Sequence, residues 1–269
     1  MSIKLIAVDM DGTFLSDAKT YNRQRFLAQY QRMREQGIRF VVASGNQYYQ
    51  LISFFPEVAH EIAFVAENGG WVVSAGEDVF NCRMPQEHFN TVIDHLQTLT
   101  NIEIIACGKR SAYTLNQYND ELKAVAAKYY HRLELVDDFN HIADDAILKF
   151  GLNDQLIPEI QPKLHAALGD MVTAVATGYG SIDLIIPGVH KANGLRILQE
   201  RWGIDNHEVV AFGDSGNDIE MLQHAGFGYA MANAAAPVKA VAGYRAPHNN
   251  EEGVLHIIDK VLNREAPFV

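Results

Sequence analysis

Cysteine is scarce in this chain. Its two cysteines, Cys82 and Cys107, form no C-x-x-C pair and have no histidine partners at zinc spacing. That excludes a disulfide framework and a zinc-ribbon site, and it suits buried thiols in a reducing compartment. Long apolar runs are also lacking, and none approaches the roughly 18–20 residues of a membrane span. Ile3 to Val8 is too short for a secretory signal, and Asp9 and Asp11 interrupt it at once. Positive charge is short as well: 22 Lys and Arg stand against 33 Asp and Glu, a net charge of -11. Nucleic acid and anionic membrane are therefore poor partners. Internal repeats and low-complexity linkers are missing. A cytoplasmic, monomeric protein acting on small molecules is the expectation that remains.

The 269 residues are 48% hydrophobic and 20% charged, enough for a large core in one or two domains. Ile3 to Val8, Ile38 to Ala43 and Ile62 to Ala66 read as buried strands. Helices are expected over Asn22 to Gln36, ended by Gly37, and over Gln47 to Phe55, stopped by Pro56. This alternation predicts an α/β fold with a doubly wound, Rossmann-like parallel sheet covered by helices on both faces. A hairpin follows, with Ser74 to Asp78 between its strands. The middle third then changes character. Helices at Glu87 to Leu99 and Glu121 to Tyr130 mix with short strands near Ile102, Tyr113, Ile147, Val172 and Ile182. The α/β rhythm returns at His190. Residues 1-83 and 188-269 are thus expected to form the core, with 84-187 an α+β insertion.

Four segments carry the chemistry: Asp9-Met10-Asp11-Gly12-Thr13, Ser44-Gly45, Lys191, and Gly213-Asp214-Ser215-Gly216-Asn217-Asp218. All but Lys191 directly follow an apolar strand, where an open parallel sheet forms its ligand crevice. Asp9 and Asp11, two residues apart, are expected on one side of the strand exit. Two close carboxylates repel unless a proton or cation separates them, and Mg²⁺ prefers such oxygen ligands. Asp214 can complete a metal site with Asp9. Asp218 can orient Lys191 or metal-bound water, and Asn217 can reach a phosphate. Ser44 fits a helix cap or a donor to a phosphoryl oxygen. Lys191 offers phosphate a compact positive charge. Taken together, the set suits phosphoryl transfer through an aspartyl-phosphate with a divalent cation. Glu67-Asn68-Gly69-Gly70 reads by preference as a structural loop, with contact to the site left open, and Asn249 to Gly253 as a surface loop and helix cap.

In order and placement these segments resemble the haloacid dehalogenase superfamily, in particular its Cof-type sugar-phosphatase branch. Ala43 to Phe55 and Ile182 to Leu195 are similar to enterobacterial members acting on sugar phosphates. The resemblance implies that Asp9 is the nucleophile. Asp11 would be the acid/base, and Mg²⁺ would sit on the Asp9 carboxylate, the Asp11 backbone carbonyl and Asp214. It also implies that Ser44 and Lys191 hold the phosphoryl oxygens, that Asn217 touches the phosphate, and that Asp218 lies behind them. Many relatives carry arginine where this chain has Asn46, so any substrate contact from that arginine is not carried over. The insertion would close over the site as a cap that sets specificity, with Arg110, Tyr113, Lys149, Thr177 and Tyr179 as candidate contacts.

The expected activity is Mg-dependent hydrolysis of small phosphorylated metabolites, foremost sugar phosphates. A phosphomutase would share these motifs. A phospho-acceptor signalling module also combines acids, a hydroxyl and a lysine, but it requires neither the Asp9/Asp11 spacing nor a hundred-residue insertion. A dehalogenase would not need Asp11.

Overall fold

The structure is a computed structural model that describes residues 2–142, 144–153, 157–178 and 180–269. Its strands, in chain order, are β1 (Leu5–Val8), β2 (Arg39–Ala43), β3 (Ala63–Ala66), β4 (Trp71–Ser74), β5 (Glu77–Asn81), β6 (Glu103–Gly108) and β7 (Ala112–Leu115). They continue as β8 (Leu133–Val136), β9 (Ile147–Asn153), β10 (Thr173–Gly178), β11 (Ser181–Ile185), β12 (Val209–Gly213), β13 (Phe227–Met231) and β14 (Tyr244–Ala246). They form two sheets.

The first sheet runs β14-β13-β12-β1-β2-β3-β4-β5. From β14 to β3 its strands are parallel, and the β4–β5 hairpin adds an antiparallel edge. β1 and β12 are buried along their whole length, as strands covered by helices on both faces must be. The chain winds outward from β1 through β2 and β3, and separately from β12 through β13 and β14. β1 and β12 are adjacent, so the winding reverses between them and opens a crevice at their carboxyl ends. The expected doubly wound α/β core is therefore present.

The second sheet runs β10-β11-β9-β6-β7-β8, antiparallel except for β7–β8. Alternation gives it two unlike faces. One carries Ile104, Ala106, Phe150, Leu152, Ile182 and Leu184, packed under the helices Gln86–Leu96 and Ile157–Leu168. The other face is partly polar and looks onto a cavity. The helix Ile157–Leu168 and the edge strand β8 were not foreseen. Pro162 lies inside that helix and argues against it locally, but burial of Leu164 and Leu168 outweighs the lost hydrogen bond. β8 has two exposed and two half-buried residues, so it lacks a clear apolar signal.

The two sheets rest on separate apolar clusters. Polar contacts bridge them: Gln47 exchanges hydrogen bonds with the Arg132 backbone at 2.8 and 2.9 Å, and Tyr49 Oη donates to Lys109 O at 3.2 Å. The Arg132 guanidinium also lies 3.6 Å from the centre of the Tyr49 ring. Among the described residues no helix is long and apolar enough to cross a membrane.

Candidate active site

β1 ends at Val8, and the chain turns through Asp9 to Leu15. The period-two argument for Asp9 and Asp11 thus does not apply strictly; the turn brings both to the cavity. Gly12 makes the turn possible, with φ at 77°, and a Cβ there would lie 2.6 Å from Asp214 Oδ2. The first and fourth motifs meet at this contact. Thr13 Oγ1 donates to Asp214 Oδ1 at 2.9 Å, and Ser215 Oγ donates to Asp214 Oδ2 at 3.1 Å.

Lys191 opens the helix Lys191–Trp202 and is fully buried. Gly194 lets that helix approach β3, since a Cβ there would stand 2.5 Å from Val65 Cγ1. The lysine Nζ donates to Asp9 Oδ1 and to Asp218 Oδ1, each at 2.7 Å. Asp218 Oδ2 accepts from the backbone N–H of Asp214 at 2.9 Å and of Ser215 at 3.0 Å. Asp218 therefore anchors both the lysine and its own loop. Asp11 faces elsewhere, accepting from Lys19 Nζ at 2.5 Å and Asn46 Nδ2 at 2.7 Å. Ser44 caps no helix: Gln47 precedes the helix Tyr48–Leu51, while Ser44 Oγ accepts from Asn46 N at 3.1 Å. Its hydroxyl proton remains available to a ligand in the cavity.

Asp9, Asp214 and Asp218 bring one carboxylate oxygen each within 4.8 Å of one another. Burial, with Asp218 and Asp214 close by, raises Asp9 well above the usual carboxylate range, although Lys191 opposes the shift. Burial and Asp218 raise Asp214 to about 6. Burial would lower Lys191, but Asp218 and Asp9 outweigh it and raise the ammonium. Three carboxylates thus share one lysine, an excess of negative charge in a buried place. An all-oxygen donor set with this charge fits a hard divalent cation such as Mg²⁺.

The chain is similar to known proteins over nearly its whole length. A family profile described as haloacid dehalogenase-like hydrolase matches residues 6–258. The chain belongs to that family. It is 69% identical to Escherichia coli "5-amino-6-(5-phospho-D-ribitylamino)uracil phosphatase YbjI", over 100% of this chain and 99% of the relative. It is 27% identical to the Bacillus subtilis phosphatase of the same description, YitU, over 96% of this chain and 97% of that one. Among solved structures, SMU.1108c from Streptococcus mutans superposes with a TM-score of 0.93 at 34% identity, covering 97% of this chain and 100% of the other.

In this haloacid dehalogenase-like hydrolase a cavity of about 740 Å³ joins the motif residues to the polar face of the second sheet. Lys149 and Asp183 line it. Lys149 Nζ donates to Asp183 Oδ2 at 2.7 Å and lies 3.4 Å from Glu67 Oε2. Asn68 Nδ2 donates to the same Asp183 oxygen at 2.5 Å, and Asn217 Nδ2 donates to Asn68 Oδ1 at 2.9 Å. The loop Glu67 to Gly70 is thus more than a spacer, because it ties the fourth motif to the second sheet. It does so on a constrained backbone, with φ of 51°, 55° and 94° at Glu67, Asn68 and Gly69. Burial raises Glu67 to about 7, against the pull of Lys149.

Of the expected cap contacts, Lys149 and Thr177 line the cavity. Arg110 and Tyr113 do not: Arg110 Nη2 donates to Tyr113 Oη, which donates to Asp145 Oδ2, each at 3.0 Å. Tyr179 lies outside the described residues. Asn249 is buried rather than at the surface, donating to Leu15 O and Asp17 Oδ1 at 3.0 Å each. Lys19 and Asp183 carried no functional expectation. Asn46 is marked in the sequence only by its further donors and by the arginine that relatives carry there, and Asn68 lies in the loop whose contact with the site the sequence leaves open.

Proposed function

We propose that this chain is a phosphatase of small phosphate monoesters that acts through a phosphorylated Asp9. The observation that carries the reading is the buried Lys191 Nζ on Asp9 Oδ1 at 2.7 Å, at the mouth of a cavity that also contains the separately held Asp11. In the proposed reaction the Asp9 carboxylate attacks phosphorus in line, and the bond to the ester oxygen breaks. Protonated Asp11 gives its proton to the departing alkoxide. As a carboxylate it then removes a proton from the water that cleaves the acyl phosphate, which returns Asp9. Lys19 and Asn46 hold Asp11 in place for both steps. Ser44 Oγ and Lys191 Nζ steady the phosphoryl oxygens, and Asp218 positions the lysine. Asn217 belongs to the wall beneath the leaving group, because its amide donates to Asn68.

The Asp9 and Asp214 carboxylates and the Asp11 backbone carbonyl would hold Mg²⁺. Bound there, the ion offsets the excess negative charge of the site and of the phosphoryl group. Residues 84-187 act as the cap, and their polar face meets the leaving group. The 69% identity to the E. coli enzyme supports 5-amino-6-(5-phospho-D-ribitylamino)uracil as the first substrate to test. Its phosphorylated ribityl chain retains the polyol phosphate of the sugar-phosphate expectation.

The test is phosphate release from this ester and from a panel of sugar phosphates, with and without Mg²⁺, beside Asp9→Asn. Metal-dependent release lost in the variant is the expected result. Phosphate retained on an isomerised sugar would indicate a mutase. A long-lived phosphorylated Asp9 with no release would indicate a phospho-acceptor.

A further inference from the structure

The cavity-facing side of the second sheet is ordered in rungs. Glu103, Asn153 and Ser181 stand opposite one another, as do Ile105, Gly151 and Asp183. Asp183 is tied to the core loop through Asn68. Glu103 lies at the diagonal corner, two strands over and two residues along, about 12 Å away in an ideal sheet. Its surroundings differ from those of Asp183. Glu103 is 2% exposed and lines the cavity. Its Oε2 accepts from Asn153 Nδ2 at 2.7 Å, and Asn153 Oδ1 accepts from Ser181 Oγ at 3.0 Å. One N–H of Asn153 and the Ser181 hydroxyl are thereby engaged. Glu103 Oε1 is buried with no hydrogen-bond partner among the described residues. A buried carboxylate oxygen without a donor is costly, and a ligand N–H would relieve that cost.

The neighbouring wall is apolar. The helix Asp120–Tyr129 turns Leu122, Val125, Ala126 and Tyr129 to the cavity, at the i, i+3, i+4, i+7 spacing of one helical face. Val125 is 38% exposed, one of three exposed large hydrophobic residues among those described. A polyol presents hydroxyls all round and gains little from such a wall. A planar heterocycle has apolar faces for the wall and N–H groups on its edge for Glu103.

We infer that this corner is a subsite for the far end of the leaving group. It would take a planar ring that donates N–H hydrogen bonds to Glu103 and lies against the Leu122–Val125 face. The inference rests on the phosphatase reading above and adds a specificity-determining residue to it. The uracil ring in the E. coli relative's named substrate has this chemistry.

The test compares kcat/KM for 5-amino-6-(5-phospho-D-ribitylamino)uracil with that for ribitol 5-phosphate, which lacks the ring. Wild type should prefer the ring-bearing ester. In Glu103→Gln the oxygen must still accept from Asn153, so an amide NH₂ replaces Oε1 and faces the ligand's donors. The preference should then fall about 10- to 100-fold, chiefly through KM. If Glu103→Gln does not fold, the surface variant Val125→Glu, which sets a charge against the ring face, decides in its place. An unchanged preference in the folded variant overturns the assignment, as does an equal loss on both esters. A wild type that hydrolyses both esters equally well also overturns it, while leaving the phosphatase reading intact. Release from neither ester rejects the phosphatase reading itself.

Discussion

The crevice at the carboxyl ends of β1 and β12 and the cavity face of the second sheet use the same residue types under different rules. In the crevice, carboxylates and a lysine come from short motifs; hydrogen bonds join Asp9, Lys191 and Asp218, while Asp11 is held separately by Lys19 and Asn46. On the second sheet, polar residues are scattered over the cavity face of three neighbouring strands, interrupted by Ile105 and Gly151, so their partners are set by register. The crevice is overcharged and calls for a cation. The sheet face balances Lys149 against Asp183 and leaves Glu103 Oε1 without a hydrogen-bond partner among the described residues. The proposed catalytic groups thus come from a few short motifs, while the proposed recognition groups are spread over neighbouring strands.

The contrast is testable, and the crevice should give the largest effects. Asp9→Asn keeps the shape but removes the nucleophile, so phosphate release should fall at least about a thousandfold. Activity near wild type would end the proposed mechanism. Lys191→Met leaves Asp9 and Asp218 buried without their cation. It should cost about 3–5 kcal/mol of stability in urea denaturation as well as activity. A mild loss would mean that the crevice tolerates exchange as the sheet face does.

Metal binding separates the carboxylates within the crevice. Asp214→Asn should weaken Mg²⁺ binding at least about tenfold in calorimetry. Asp11→Asn should impair turnover with little effect on affinity, because its side chain faces Lys19 and Asn46. Equal losses of affinity would contradict the proposed ligand set.

A pH-dependent effect is expected between the two regions. Burial raises Glu67 from 4.5 to about 7, so the folded state holds a proton that the unfolded chain has released. Stability from this group therefore falls as pH rises from about 4.5 to above 7. Glu67→Gln removes the ionisation. It should match wild type near pH 4 and exceed it above pH 8 by up to about 3 kcal/mol. A pH-independent difference would show that Glu67 acts by packing alone.

The unequal rules also explain what the sequence disclosed. Asp9, Asp214, Asp218 and Lys191 were legible because each sits at a strand end or a helix start, and the structure brings them together. The parallel core was legible for a related reason, since doubly covered strands read as unbroken apolar runs. Lys149 stood out only as a charged residue near a strand. Its pairing with Asp183, 34 residues away, depends on β9 lying beside β11, which no local pattern states. Glu103 was invisible for the same reason, as its significance comes from an unfilled hydrogen bond. The constrained Glu67 to Gly69 turn looked like an ordinary polar loop because only backbone angles distinguish it.

The polar seam between the sheets has a consequence for folding. Each sheet has its own main apolar cluster, and the apolar contacts that cross between them include Leu148 of β9, buried in the first cluster, and Ile186, packed against both. Hydrogen bonds such as Asn68–Asp183 and Gln47–Arg132 contribute little net cooperativity once water can replace them. The second sheet should therefore open as a unit while the first remains intact. Amide hydrogens of β6, β9 and β11 should exchange together at a lower denaturant concentration than those of β1 and β12. Calorimetric and van't Hoff enthalpies should then disagree.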